Sequence, residues 1–166
     1  TPIQNVVNPA HAYNTAFANC TRDTVIIQNP ECVWVQDIGA FVSAYLNAND
    51  YFVFACLNGS KEDSERFGPD TDLSLVMPTD TRLPWYQHSS YRKRGYHFCS
   101  AIPRIALNTD LRGGFDERFN GGYGYDDNEF FLRVSHHLNV THIDRPYVIH
   151  QYHDRFWESD ISGDKA

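Results

Sequence analysis

Two adjacent carboxylates follow a glycine-flanked aromatic in the run Gly122-Tyr123-Gly124-Tyr125-Asp126-Asp127-Asn128-Glu129. Glycines on both sides of an aromatic let the backbone approach a ligand closely. Asp126 and Asp127 then open a helix. Neighbouring residues at a helix start point in different directions, so one carboxylate orients a substrate while the other takes a proton. A like-charged neighbour and partial burial are what raise a carboxyl group into the range of a general base. The plainer alternative is ordinary complementation of the helix N-terminus by Asp. A further carboxylate stands in Asn29-Pro30-Glu31, directly after the β-branched run Thr24–Gln28. Ligands of α/β proteins gather outside the carboxyl ends of strands, which places Glu31 to bind a divalent cation through oxygen. Otherwise it is a loop Glu after a proline turn. His150-Gln151-Tyr152-His153-Asp154 follows the short apolar run Tyr147–Ile149 and offers nitrogen ligands for a metal or a phosphate contact. With 8 His in the chain, a structural histidine stays open here. Last, Trp85-Tyr86-Gln87-His88-Ser89-Ser90-Tyr91-Arg92-Lys93-Arg94 sets aromatics beside a basic trio, a pattern able to hold a sugar face and nucleotide phosphates. A solvated loop anchored by Trp85 is the bland version.

These groups need elements to position them. Asn8 caps and Pro9 starts a helix running to about Asn19, with Ala10, Tyr13, Phe17 and Ala18 at helical spacing. Thr24–Gln28 reads as a buried strand that Asn29-Pro30-Glu31 stops. A second helix is expected from Asp37 to about Leu46, with Ile38, Phe41, Val42 and Tyr45 on one face. Tyr51–Leu57 is the next strand. Residues 58–95 read as a long polar loop with short elements, punctuated by Gly59, Gly68, Pro69, Pro78 and Pro84. Tyr96–Ile102 is strand-like, and Pro103–Leu107 is a helical turn. Asp126 to about His137 is the strongest helix: acidic at its start, with Phe130, Phe131 and Val134 inward and His136-His137 complementing its end. Val140–Ile143 and Tyr147–Ile149 are short strands. This order predicts an α/β fold with a mostly parallel sheet in a single domain over residues 1–166, with a flexible tail at 157–166.

Composition narrows the function classes. The 166 residues carry 14 Lys+Arg against 21 Asp+Glu, a formal net charge of −7, so neither nucleic acid nor an anionic membrane finds a basic face. No stretch approaches the ~20 consecutive apolar residues of a membrane span. Cys20, Cys32, Cys56 and Cys99 are widely spaced without a C-x-x-C pair, which argues against a zinc ribbon and for reduced, mostly buried thiols. With those thiols and no export signal in Thr1-Pro2-Ile3-Gln4-Asn5, the expected location is the cytosol. An aromatic share of 14% suits a sugar-binding surface or a large aromatic core.

Taken in order, from Asn14 to about Phe156, these segments resemble the family 2 glycosyltransferases of the GT-A fold. Ala12-Tyr13-Asn14-Thr15-Ala16-Phe17 followed by Asp23–Gln28 looks like the helix and strand that lead to that family's metal motif. Asn29-Pro30-Glu31 stands where the family carries Asp-x-Asp. Arg112-Gly113-Gly114-Phe115-Asp116-Glu117-Arg118-Phe119, then Gly122–Asp127, resembles the G-G-F-D-E-x-F…G-x-G-x-[ED]-D stretch shared with galactosyltransferase-type C-terminal regions. The resemblance implies a Rossmann-like GT-A fold, a mostly parallel mixed sheet with flanking helices, whose N-terminal βαβ part is absent or truncated. It implies an inverting, metal-assisted transfer from a nucleotide-sugar donor to a carbohydrate or glycoconjugate hydroxyl. In that reading Asp127 is the base and Asp126 its acceptor-side partner. Glu31, with His150 or His153, holds Mn²⁺ or Mg²⁺. Asn29, Trp85, Tyr86, His88, Arg92, Gly122, Tyr123 and Gly124 bind substrate. Two departures stand out. Asn29 replaces a carboxylate, and family members carry a further βαβαβ half before the point where this chain begins. The expectation is that this segment alone binds donor poorly, and that an open strand edge pairs with a second copy or another chain. A non-catalytic sugar-binding module and a metal-dependent hydrolase built on Glu31, Asp126, Asp127 and the late histidines are the competing functions.

Overall fold

The computed structural model describes residues 9–68, 70–73, 85–121 and 125–153. Helix α1 (Pro9–Asn19) buries Ala10 and Phe17 and leads into β1 (Thr24–Gln28), whose Val25 and Ile27 are buried. After the Asn29-Pro30-Glu31 turn the chain reverses into β2 (Cys32–Val35). Asp37 caps α2 (Ile38–Tyr45), its Oδ1 accepting from the Ala40 N–H at 2.8 Å. Strand β3 (Asp50–Asn58) follows, then α3 (Lys61–Arg66), β4 (Trp85–Gln87), β5 (Cys99–Pro103), α4 (Arg104–Thr109), a 3-10 turn at Glu117–Gly121, α5 (Asp126–His137) and β6 (Asn139–His150).

The described strands form one curled mixed sheet in the order β1-β5-β3-β6-β2, with β4 paired to β3 beyond the end of β5. Only β3 and β6 run parallel; β1–β5, β3–β5, β3–β4 and β2–β6 are antiparallel. The expected predominance of parallel pairing therefore gives way to a mixed sheet. The reason lies in the connections. The short β1–β2 turn and the single helix between β2 and β3 send neighbouring segments back in opposite directions, and β5 returns against both β1 and β3. A strand was also missed, because Asn29-Pro30-Glu31 reads as an end whereas Cys32-Val33-Trp34-Val35 resumes at once. The two short strands expected near the carboxyl end are one strand, β6, and the strand expected from Tyr96 starts at Cys99.

Helices cover both faces. Tyr51 and Val53 of β3 point to a core with Phe17, Val25, Ile27, Ile102, Leu107, Leu111, Phe115, Phe130 and Val134, under α1, α4 and α5. Phe52, Phe54 and Cys56 point the other way, to a core with Ile38, Val42, Cys99 and Val148 under α2. Burial on both faces is why β3 reads as an unbroken apolar run. Each of these side chains contributes roughly 1.5–3 kcal/mol on burial. Gln87 closes the gap where β4 takes over from β5 along β3. It is fully buried, its Nε2 donates to Phe54 O at 2.7 Å, and its Oε1 accepts from the Tyr96 N–H at 3.1 Å. Cys32, Cys56 and Cys99 are buried and Cys20 is half-buried, all four as free thiols. Burial pushes the Cys56 and Cys99 thiols up, which makes them poor nucleophiles. No helix among the described residues is long and apolar enough to cross a membrane.

Candidate functional site

The site is built from the start of α5, the approach to β5 and the β1–β2 turn. Tyr125 precedes α5 with φ 70° and ψ −17°, a left-handed conformation uncommon for a non-glycine residue, and 74% of it is exposed. Directly after this turn Asp126 is only 5% exposed, while Asp127 is half-buried. The helix that carries them is pinned from behind. Arg133 donates to Glu129 Oε2, Leu111 O and Gly114 O, each at 2.8 Å, and Phe130 stacks on Phe115 with ring centroids 4.2 Å apart. Asn14 of α1 holds Phe115 through both backbone groups at 2.8 Å.

His97, two residues before β5, faces this helix start. Its backbone N–H donates to Asp127 Oδ1 at 3.3 Å, and its ring Nδ1 meets the same oxygen. The ring is 8% exposed and packs edge-on against Tyr13 and Phe115, with centroids 5.0 and 5.3 Å away. Burial pushes the imidazole pKa down to about 4, against the opposing pull of the Asp126 and Glu31 carboxylates, so the ring is neutral at pH 7. Tyr13 joins the helix to the β1–β2 turn, its hydroxyl donating to Asn29 Oδ1 at 2.7 Å. Burial raises its phenol, and the Glu31 and Asp126 charges raise it further. Glu31 and Asp126 thus act on the same two rings, Tyr13 and His97. Glu31 Oε2 is buried and accepts no hydrogen bond from the described residues, while the Glu31 carbonyl accepts from the Gln151 N–H at 2.9 Å.

A second aromatic group lies where β2 meets the end of β6. Cys32 is in register with His150, whose ring stands edge-on to Tyr86 and Phe98 at 5.2 and 5.6 Å and lies 5.2 Å from His153. Tyr86 stacks on Phe98 at 5.1 Å. The expected site residues Tyr86, His150 and His153 are therefore gathered together. Trp85 instead lies in a core cluster with Ala55, Leu57 and Tyr147. His88 is 3.6 Å from Asp144 Oδ1 through Nδ1, and Ser89 N–H donates to that oxygen at 3.0 Å, so His88 helps fasten a tight hairpin. Arg92 is exposed and closes that hairpin through backbone bonds to His88. Gly122, Tyr123 and Gly124 lie outside the described residues.

Among the described residues, one group of three ligand-type side chains has its donor atoms within 4.8 Å of one another: His97, Asp126 and Asp127. Glu31, His150 and His153 do not form such a group. Sequence reasoning named both aspartates and missed His97, since a single polar ring in the apolar run Tyr96-His97-Phe98-Cys99 carries no spacing signal. One half-buried carboxylate, one buried one and a neutral imidazole suit a divalent cation of borderline character or a proton-transfer centre. Comparison of the chain with protein families, with curated proteins and with solved structures found no match.

Proposed function

We propose that this chain acts as a metal-assisted, inverting glycosyltransferase of the GT-A type on a nucleotide-sugar donor. The observation that carries the reading is the meeting of three distant segments. Residues Asn29–Glu31, His97 and Asp126–Asp127 act on one another through Tyr13, and the strand end bearing His150 touches the same turn through Gln151. The resemblance of the sequence motifs to family 2 glycosyltransferases supplies the chemistry that such a meeting serves.

In this reading Asp127 removes the proton from an acceptor hydroxyl, which His97 helps by fixing one carboxylate oxygen and leaving the other to the substrate. The acceptor oxygen forms a bond to the anomeric carbon while the bond to the diphosphate breaks, its electron pair leaving on the nucleoside diphosphate. Asp126, buried beside it, orients the acceptor. The His97–Asp126–Asp127 group would hold a Mn²⁺ or Mg²⁺ ion, which would supply positive charge for a departing diphosphate. The Tyr86, Phe98, His150 and His153 rings offer the apolar faces and polar edges that a sugar or base would contact.

A second reading, a metal-dependent hydrolase, is favoured by the make-up of the His97–Asp126–Asp127 group itself, which also suits the activation of water. The test is a screen of nucleotide-sugars with and without acceptor in Mn²⁺. Acceptor-dependent product, abolished in Asp127→Asn, supports transfer. Equal release of free sugar without acceptor supports hydrolysis, and no turnover together with no Mn²⁺-dependent thermal stabilisation by any nucleotide-sugar overturns the transfer reading.

A further inference from the structure

We infer that His97, Asp126 and Asp127 bind a divalent metal ion. The inference deepens the transfer reading and rests on it for the role of the cation, while its test needs no donor. It starts from charge. Asp126 is 95% buried by its 5% exposure, and no hydrogen bond or ion pair from the described residues reaches its carboxylate. Glu31 Oε2 is sealed from solvent and likewise accepts nothing among them. Among the described residues Asp127 meets only His97, through the ring and the backbone N–H. Two arginine ion pairs lie elsewhere: Arg118 on Asp116, Arg133 on Glu129.

Two carboxylates thus meet one buried imidazole, and no ion pair from a described Lys or Arg reaches them. An uncompensated buried carboxylate costs several kcal/mol, so such a group persists where a counter-charge is supplied. The donor atoms of His97, Asp126 and Asp127 lie within 4.8 Å of one another, close enough for a single ion to draw them in, as metal ligands 2.0–2.3 Å from a common centre must be. One oxygen from each carboxylate suffices for ligation, which leaves the second Asp127 oxygen for the acceptor proton. The ring of His97 is held by Tyr13 and Phe115, and the start of α5 is held through Arg133, so the ligands are mounted on a braced support. The ligand set that the sequence resemblance implies, Glu31 with His150 or His153, is not drawn together in this way.

Mn²⁺ alone is the probe, added to the chain as it stands while its thermal unfolding is followed. A metal bound only by the folded state raises Tm, and the rise grows with concentration. The expected result is a saturable rise of several degrees that EDTA reverses. It is lost, or needs about tenfold or more Mn²⁺, in Asp126→Asn and in His97→Gln. Both variants must melt cooperatively in EDTA; should Asp126→Asn fail that, Asp127→Asn replaces it. Absence of any Mn²⁺-dependent rise in the unsubstituted chain overturns the site, as does a rise retained by His97→Gln and Asp126→Asn but lost in His150→Gln. A chain that binds Mn²⁺ through these residues yet transfers no sugar and gains no Mn²⁺-dependent stabilisation from any nucleotide-sugar keeps this site and removes the transfer reading instead.

Discussion

At the scale of single residues, Asp127 and His97 carry the chemistry proposed for the site. If Asp127 removes the acceptor proton, Asp127→Asn lowers kcat by roughly 10²–10⁴ even at saturating donor and Mn²⁺, because general-base catalysis contributes about that much. A steady-state comparison of the two proteins checks it; an unchanged kcat would place the base elsewhere. His97 gives a pH prediction for the metal-free protein. Its folded pKa, pushed down to about 4 chiefly by burial, lies below the ordinary value of 6.5. The unfolded chain then binds the extra proton between pH 6.5 and 4, so the stability tied to neutral His97 is full above pH 6.5 and drains away as pH falls through that window. Asp126, Glu31 and Asp127 face the ring, Tyr13 and Phe115 pack on it, and the two carboxylates that act on it most, Asp126 and Glu31, work against the depression without overcoming it. In EDTA, urea unfolding at pH 7 and pH 4.5 is expected to show a larger loss for the unsubstituted chain than for His97→Gln, by on the order of 2–3 kcal/mol. Equal losses in the two proteins would mean that His97 is already free to charge.

At the scale of elements, the packing behind the site carries the predictions. Gly114 has φ +133°, and a Cβ there would meet Asn14 Oδ1 at 2.4 Å and the Phe17 ring at 2.7 Å. Gly114→Ala is therefore expected to cost roughly 2–4 kcal/mol, read as a lower urea midpoint, since both the backbone conformation and the space exclude a side chain. Arg133 holds α5 to the Leu111 and Gly114 carbonyls; Arg133→Met keeps the stem's packing and strands both acceptors, for an expected loss of about 2 kcal/mol. Retention of full stability in either variant would show that α5 is held otherwise. The same elements show what a sequence carries. The bounds of α1, β1, α2 and α5 were legible because caps and apolar periodicity are local signals: Pro9 opens the first, Asp37 caps the third, and acidic residues begin the last. Strand β2 was not legible, since a proline turn and a new strand occupy adjacent residues. Nor was the continuity of β6, whose apolar run is interrupted by Asp144-Arg145-Pro146.

At the scale of the whole molecule, strand direction and the membership of the site are long-range properties. The pairing of β1 with β5 and of β2 with β6 joins segments far apart in the chain, which is why a parallel arrangement was expected and a mixed one is found. For the same reason Glu31, Asp126 and Asp127 were legible as chemistry, while the partner that joins them, His97, was visible only once the approach to β5 crossed the start of α5. Two pairing edges, β1 and β2, end the described sheet, so a second chain or further segment would find hydrogen-bonding positions there. Convergence of the β1–β2 turn, the approach to β5 and the start of α5 on one cation can be read from Mn²⁺-induced line broadening in the amide spectrum of the isotopically labelled chain. Substoichiometric Mn²⁺ is expected to broaden the amides of Glu31, His97, Asp126 and Asp127 first and together, with recovery on adding EDTA. Broadening centred on other residues, or none beyond that of exposed carboxylates such as Glu62 and Glu65 of α3, would contradict it.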